Sequence, residues 1–269
     1  MQDAATIAVA WADAEGWNPG RDDAQRFVRA DPGAFLCTER DGAVVATVSC
    51  ALYGDDYAFI GFYIVHEDFR GQGLGLELFE RALARAGNRV VGLDGVLEQQ
   101  EAYERSGFEL AHRNTRYESS GGGTRPPGVV DLDEVPRDEL LAYDASIFGT
   151  RRDAFLETWI GDRPPGMALA VRNGDGLCGY AIGRRCGKGV KAGPLFADDP
   201  ETADALFRGL AAAAGDRIYL DVPEPNAEAE ALARRYAMQP VFATARMYRG
   251  GTPDEDVARV YGVTTFEFG

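Results

Sequence analysis

The residues Phe59-Ile60-Gly61-Phe62-Tyr63-Ile64-Val65-His66-Glu67-Asp68-Phe69-Arg70-Gly71-Gln72-Gly73-Leu74-Gly75-Leu76 carry an apolar strand into a glycine-rich turn, and an amphipathic helix begins at once. Gly71, Gly73 and Gly75 reach backbone conformations closed to residues with a Cβ. Their N–H groups can approach a ligand with no side chain in the way, and the following helix adds its positive N-terminal end. That combination suits a diphosphate. Taken alone it is equally compatible with a glycine-rich strand–helix turn that holds no ligand.

Outward from this turn, residues 34–38, 43–52 and 58–65 read as strands, with Asp41-Gly42 as a hairpin signal between the first two. Helices are expected over 3–15, 22–30 and 74–86 and a short one over 99–105, with further strands over 89–93 and 108–118. Ser119-Ser120-Gly121-Gly122-Gly123-Thr124-Arg125-Pro126-Pro127-Gly128 reads as an interdomain linker, because Gly and Ser remove stiffness and the proline pair forbids helix. It separates residues 1–118 from residues 129–269, each an ordinary domain size. The second part repeats the order: strand 129–132, helices 138–148 and 152–160, strands 167–173, 177–186 and 189–195, helix 201–214, strand 218–222, helix 227–236, strand 241–248. A last strand is expected over 261–268. The repeated order suggests a duplicated α/β fold.

Composition narrows the function classes. The formal net charge is −15, and Lys188 and Lys191 are the only lysines among 28 basic residues. Such a surface repels nucleic acid and anionic lipid and tolerates a cationic small molecule. No apolar run reaches the length of a membrane span. Met1-Gln2-Asp3-Ala4-Ala5 has no basic patch ahead of an apolar core, so it does not read as a secretory signal. Cys37, Cys50, Cys178 and Cys186 show no CxxC and no framework spacing, which fits buried, reduced thiols in a cytoplasmic protein with no metal site.

Arg70-x-x-Gly73-x-Gly75 after an apolar strand resembles the acetyl-CoA signature of the GNAT superfamily of N-acetyltransferases. Ala102-Tyr103-Glu104-Arg105-Ser106-Gly107-Phe108 is similar to that family's second signature, a short helix with a tyrosine followed by Gly-Phe. The stretches 15–20, 61–65 and 93–96, and the C-terminal residues 261–267, are similar to a bacterial and archaeal subgroup of two-domain members. The resemblance implies tandem acyl-CoA N-acyltransferase domains, each a mixed, mainly antiparallel sheet flanked by helices. It implies transfer of an acetyl group from acetyl-CoA, as co-substrate, to a primary amine of a small molecule or peptide. In that scheme Tyr63, Ile64 and Val65 line the pantetheine arm, and Arg70, Gly71, Gln72, Gly73, Leu74, Gly75 and Leu76 hold the pyrophosphate. A backbone N–H near Val65 polarises the thioester carbonyl, and Tyr103 donates a proton to the departing thiolate.

The sequence also departs from the family pattern. Val96 stands where many relatives carry an asparagine, Glu67 where a proline is common, and Val91 where a basic glutamate is frequent. The general base is therefore open among Glu15, His66 and Asp94. The second part lacks the Arg-x-x-Gly-x-Gly turn, puts Asp198 and Asp199 in its place, and has Ala233 at the tyrosine position. It is expected to bind no acetyl-CoA and to wall the acceptor pocket or stabilise the first domain. The resemblance also implies an opening strand, for which residues 1 and 2 leave no room; the tail 261–268 could pair with the first domain's sheet instead. Two other readings stay open: a non-catalytic acyl-CoA-binding sensor or interaction module, and a transferase using another acyl donor. Acceptor identity and a homodimer are likewise open.

Overall fold

The chain, a computed structural model that describes residues 4–161 and 163–269, places the apolar run 57–65 third from one edge of a continuous sheet. The first half contributes helices α1 (Ala4–Ala14) and α2 (Asp23–Ala30) and strands β1 (Phe35–Arg40), β2 (Ala43–Tyr53) and β3 (Tyr57–Val65). Helix α3 (Leu74–Ala86), strand β4 (Val90–Val96), helix α4 (Gln100–Arg105) and strand β5 (Glu109–Ser120) follow. The second half supplies β6 (Val129–Asp131), α5 (Arg137–Phe148), α6 (Asp153–Ile160), β7 (Ala168–Asn173), β8 (Gly176–Arg185) and β9 (Val190–Ala197). It ends with α7 (Pro200–Ala214), β10 (Arg217–Pro223), α8 (Ala227–Arg235), β11 (Gln239–Arg249) and β12 (Val260–Gly262). The expected start of the first helix at Asp3, and the room for an opening strand at residues 1 and 2, lie outside the described residues.

Strand order is β1-β2-β3-β4-β11-β5-β10-β9-β8-β7-β6, with β12 against β9. The pairings are antiparallel except β3 with β4 and β9 with β10. The order is a near-palindrome about the central pair β11 and β5, so the halves are related by a pseudo-twofold. They also exchange strands. β11 of the second half sits between β4 and β5 of the first, and β5 sits between β11 and β10. The expected linker is correspondingly shorter at its start: Ser119 and Ser120 are the last residues of β5, opposite Ile218 and Arg217.

Two buried ion pairs cross at this exchange. Asp94 on β4 lies opposite Arg246 on β11, and the guanidinium reaches both carboxylate oxygens at 2.9 and 2.6 Å. Asp221 on β10 lies opposite Arg116 on β5, with contacts of 2.6 and 2.8 Å. Each pair ties the halves together, β4 to β11 and β10 to β5. Burial pushes the Asp94 carboxyl up against the pull of Arg246. At Asp221 burial is outweighed by Arg116 with Lys191 and Arg184 nearby, and the carboxyl is held below its ordinary range.

The C-terminal tail departs from expectation. Only residues 260–262 form a strand, and they pair with β9 of the second half rather than with the first half's sheet. Beyond Gly262 the chain runs as an irregular segment toward the first half, because its aromatic side chains find a core there. Phe268 stacks on Phe27 with ring centroids 3.9 Å apart. The Tyr53 hydroxyl donates to the Phe268 carbonyl at 2.6 Å, and Gly269 N–H turns back to the Thr265 carbonyl at 3.1 Å. All four cysteines are free; Cys50 and Cys186 are buried, whereas Cys37 and Cys178 are half-buried.

Candidate active site

The site begins where β3 and β4 part. Their parallel pairing runs from Tyr57/Val90 to Ile60/Leu93 and stops, while β3 continues to Val65 and β4 to Val96. A β-bulge drives the separation. Phe62 and Tyr63 oppose the single residue Val48 of β2, Phe62 adopts φ +48°, and the Thr47 hydroxyl donates to the Phe62 carbonyl at 3.0 Å. β4 keeps its other edge on β11. The backbone of residues 61–65 therefore borders a gap with no strand partner on that side.

The gap opens onto a cavity of about 490 Å³ lined by both halves. At its mouth the glycine turn leads into α3. Gly71 (φ +76°) and Gly73 (φ +81°, the residue capping α3) are left-handed, and nothing lies within 4 Å of where a Cβ would sit on either. These two are glycines for conformation rather than for space. Gly75 is the opposite case. A Cβ there would stand 2.6 Å from the Tyr63 hydroxyl and 2.8 Å from Val65 Cγ2, so its absence lets the first turn of α3 lie against β3.

Of the residues expected to hold the cofactor, Tyr63, Ile64, Val65, Arg70, Gly71, Gly73, Gly75 and Leu76 line this cavity. Gln72 and Leu74 do not: the Gln72 amide donates back to the Asp68 carbonyl at 3.2 Å, and Leu74 is buried because it lies on the face of α3 turned to the sheet. Arg70 does not point freely into the cavity. Its Nε donates to the Val65 carbonyl at 2.9 Å and Nη2 to Glu15 Oε1 at 2.8 Å, fixing the end of β3 to the end of α1.

Tyr103, Glu15 and Asp94 all reach the same cavity. The Tyr103 ring lies on Gly95, where a Cβ would fall 2.5 Å from the ring edge. Its hydroxyl has no hydrogen-bond partner among the described residues, and burial, with Tyr63 close by, raises its pKa. The phenol thus keeps its proton at neutral pH and is free to give it to a ligand atom. The expectation that Glu15 or Asp94 serves as base meets a physical obstacle. Glu15 is paired with Arg70. Asp94 is committed to Arg246 and accepts a further bond from Asn114 Nδ2 at 2.7 Å. His66 is half-buried beside Trp11, Phe69 and Asp68 and does not line the cavity. Trp17 and Tyr63 also line it.

The sequence did not single out the far wall. Phe242 and Thr244 come from β11, and Phe266 and Glu267 from the tail. They arrive there only because the strands are exchanged, so local pattern held no signal for the two on β11.

The equivalent gap in the second half is filled. β9 and β10 pair from Val190/Ile218 to Ala192/Leu220 and then part. Between them lies the chain's own tail: β12 pairs with Leu195 and Phe196, and Val263 N–H donates to the Asp221 carbonyl at 2.8 Å. The N-terminus of α7 is taken as well, since Asp199 accepts from the Thr202 N–H at 2.7 Å and from its hydroxyl at 2.9 Å. The residue at the family's asparagine position, Asn226, caps α8 and donates to the Ala258 and Val260 carbonyls at 2.9 Å.

Parted strands, a left-handed glycine turn at a helix N-terminus and a tyrosine with no partner among the described residues meet at this cavity. Residues 4–108 match the Acetyltransferase (GNAT) family model, and residues 140–262 match an Acetyltransferase (GNAT) domain model. The chain is 32% identical over 268 residues to the holothin acyltransferase of Pseudoalteromonas sp. (strain SANK 73390), covering 98% of this chain and 90% of that protein. This chain belongs to the GNAT family and is a tandem-domain acyltransferase. Among solved structures, a Pyrococcus horikoshii protein provisionally assigned as an acetyltransferase superposes with TM-score 0.84 at 24% identity, over 98% of this chain and 91% of that one. A tandem GNAT protein from the clavulanic acid biosynthesis pathway gives TM-score 0.59 at 18% identity, over 94% and 98%. Among the described residues no helix is long and apolar enough to cross a membrane.

Proposed function

We propose that this protein is a cytoplasmic N-acetyltransferase that moves an acetyl group from acetyl-CoA to a primary amine by direct attack within a ternary complex. The observation that carries this reading is the unpaired edge of residues 61–65, which leads from the glycine turn to Tyr103. That edge offers backbone groups to a pantetheine amide as an added strand would. The N–H groups of residues 71–75 and the N-terminus of α3 hold the pyrophosphate. A backbone N–H of the bulged segment polarises the thioester carbonyl. Tyr103 supplies the proton taken up by the departing thiolate. Holding both reactants in one cavity supplies much of the rate.

The test is thiol release from acetyl-CoA and from longer acyl-CoAs across a panel of primary amines that includes holothin. Turnover with at least one amine, fastest with acetyl-CoA, is the expected result. Tight CoA binding with no thiol released on any amine would favour a sensor. Tyr103→Phe is expected to lower kcat about 10²- to 10⁴-fold with little change in KM for acetyl-CoA; an unchanged kcat would remove Tyr103 from the mechanism.

A further inference from the structure

Three carboxylates line the cavity, and two of them are spoken for: Glu15 by Arg70 and Asp94 by Arg246. Glu267 is the third. It comes from the C-terminal tail, its residue is 2% exposed, and it has no ion-pair partner among the described residues. The cations around it have their own partners. Arg116 on β5 is paired with Asp221, Arg184 on β8 with Asp23, and Lys191 on β9 donates to the Trp17 carbonyl at 2.9 Å. Oε2 of Glu267 accepts from the Thr265 hydroxyl, while Oε1 has no hydrogen-bond partner among the described residues. A buried carboxylate with an uncommitted oxygen is expensive unless a ligand completes it.

Its position is fixed from three sides. The Glu267 N–H donates to Thr265 Oγ1 at 3.1 Å. The Glu267 carbonyl packs on Gly61, where any Cβ would overlap it, so β3 accepts the tail only with glycine at that point. On the C-terminal side Phe268 is stacked on Phe27, and the Gly269 carbonyl accepts from Arg152 at 3.4 Å. The tail that plugs the gap of the second half thereby delivers a carboxylate to the bulge of the first, in the cavity that the glycine turn also lines.

We propose that Glu267 is the general base of the acyl transfer, oriented by Thr265, so that the last residues of the second domain complete the active site of the first. This assignment rests on the proposed N-acetyl transfer. An alkylammonium has a pKa of about 10.4 and must lose a proton before its nitrogen can attack. Glu267 Oε1 takes that proton, directly or through one water. The amine lone pair forms the N–C bond, the C–S bond breaks with its electron pair going to sulfur, Tyr103 protonates the thiolate, and the second proton of the acylated nitrogen passes through water to the Tyr103 oxygen, restoring the phenol, while Glu267 returns its proton to solvent. Thr265 keeps Oε2 occupied and Oε1 turned outward.

The experiment compares wild type, Glu267→Gln and Thr265→Val, using acetyl-CoA and the best acceptor from the amine panel. Glu267→Gln is expected to lose kcat about 100-fold or more, with CoA affinity by calorimetry and thermal midpoint close to wild type. Its residual rate should climb about tenfold per pH unit toward the pKa of the amine, because only amine already deprotonated in solution reacts; the wild-type rate should climb far less steeply. A merely structural role for Glu267 would leave the shape of the pH profile unchanged. Thr265→Val, which retains the carboxylate, is expected to lower kcat several-fold at constant KM for acetyl-CoA, and gives a second readout should the glutamine variant fold poorly. A Glu267→Gln enzyme with wild-type kcat and pH profile, or a Thr265→Val enzyme with unchanged kcat, overturns the assignment while the acetyl-transfer reading stands. Wild type inert toward every amine overturns both.

Discussion

Arg246→Ala is expected to unfold roughly 6–20 °C below the wild type. The substitution leaves Asp94 buried with only neutral donors, Asn114 and Thr244, and no countercharge. Removing one partner of a buried pair costs about 3–5 kcal/mol, and in a chain of this size each kcal/mol moves the midpoint by about 2–4 °C. Arg116→Ala is expected to lower the midpoint less, because Asp221 keeps Lys191 and Arg184 nearby. The double replacement Asp94→Leu with Arg246→Met removes both charges and should recover most of the loss, since an apolar pair of similar volume carries no desolvation penalty. Thermal unfolding followed by circular dichroism measures all three. A midpoint for Arg246→Ala within about 2 °C of wild type would show that the crossed pairs do not hold the exchanged strands. Because β11 completes the sheet of the first half and β5 that of the second, one cooperative transition is expected rather than two.

Gly73→Val is expected to reduce CoA affinity at least about 100-fold while leaving the thermal midpoint nearly unchanged. Gly73 has φ +81°, a region that costs an ordinary residue about 1–2 kcal/mol and that a β-branched side chain scarcely visits. No atom lies within 4 Å of the new Cβ, so the effect is conformational and confined to the turn. Escape to negative φ redirects the N–H groups of residues 73–75 away from the phosphates, and several charge-assisted bonds of about 1.5–3 kcal/mol are lost together. Isothermal calorimetry with acetyl-CoA should give one site per wild-type chain and no measurable site in the variant. Unchanged affinity would mean that the turn does not grip the ligand. Two equivalent sites would contradict the plugged gap of the second half, where residues 260–263 and the Asp199 cap stand in the way.

The sequence was most informative where structure is local. The glycine turn, the Tyr103-to-Phe108 signature, the hairpin at Asp41-Gly42 and the repeated order of elements are each written within a few tens of residues. What it could not display were relations between distant segments. Asp94 reads as a candidate base because its partner Arg246 lies 152 positions away. Both aspartates of the crossed pairs follow a leucine on equivalent strands, and both arginines sit at equivalent points of exchanged ones, but only pairing across the pseudo-twofold reveals it. The tail misled in another way. Val263 to Phe268 has the β-branched and aromatic content of a strand, yet Phe266 and Phe268 are buried between the halves and the chain curls at Thr265 to Gly269 instead of joining a ladder. Gln72 and Leu74 keep their side chains out of the cavity, because a helix start turns only some of its side chains toward a ligand, so any part they have rests on their backbone N–H groups.

The exchanged strands also set the order in which the molecule can be made. When Ser120 leaves the ribosome, β4 still lacks its neighbour, because that neighbour ends at Arg249, 129 residues later. At synthesis rates of about 5–20 residues per second, the nascent first half waits roughly 6–25 s with an open edge. Open edges invite pairing with other chains. The first half, which carries the glycine turn and Tyr103, is therefore completed only once the strand and tail of the second half have been made.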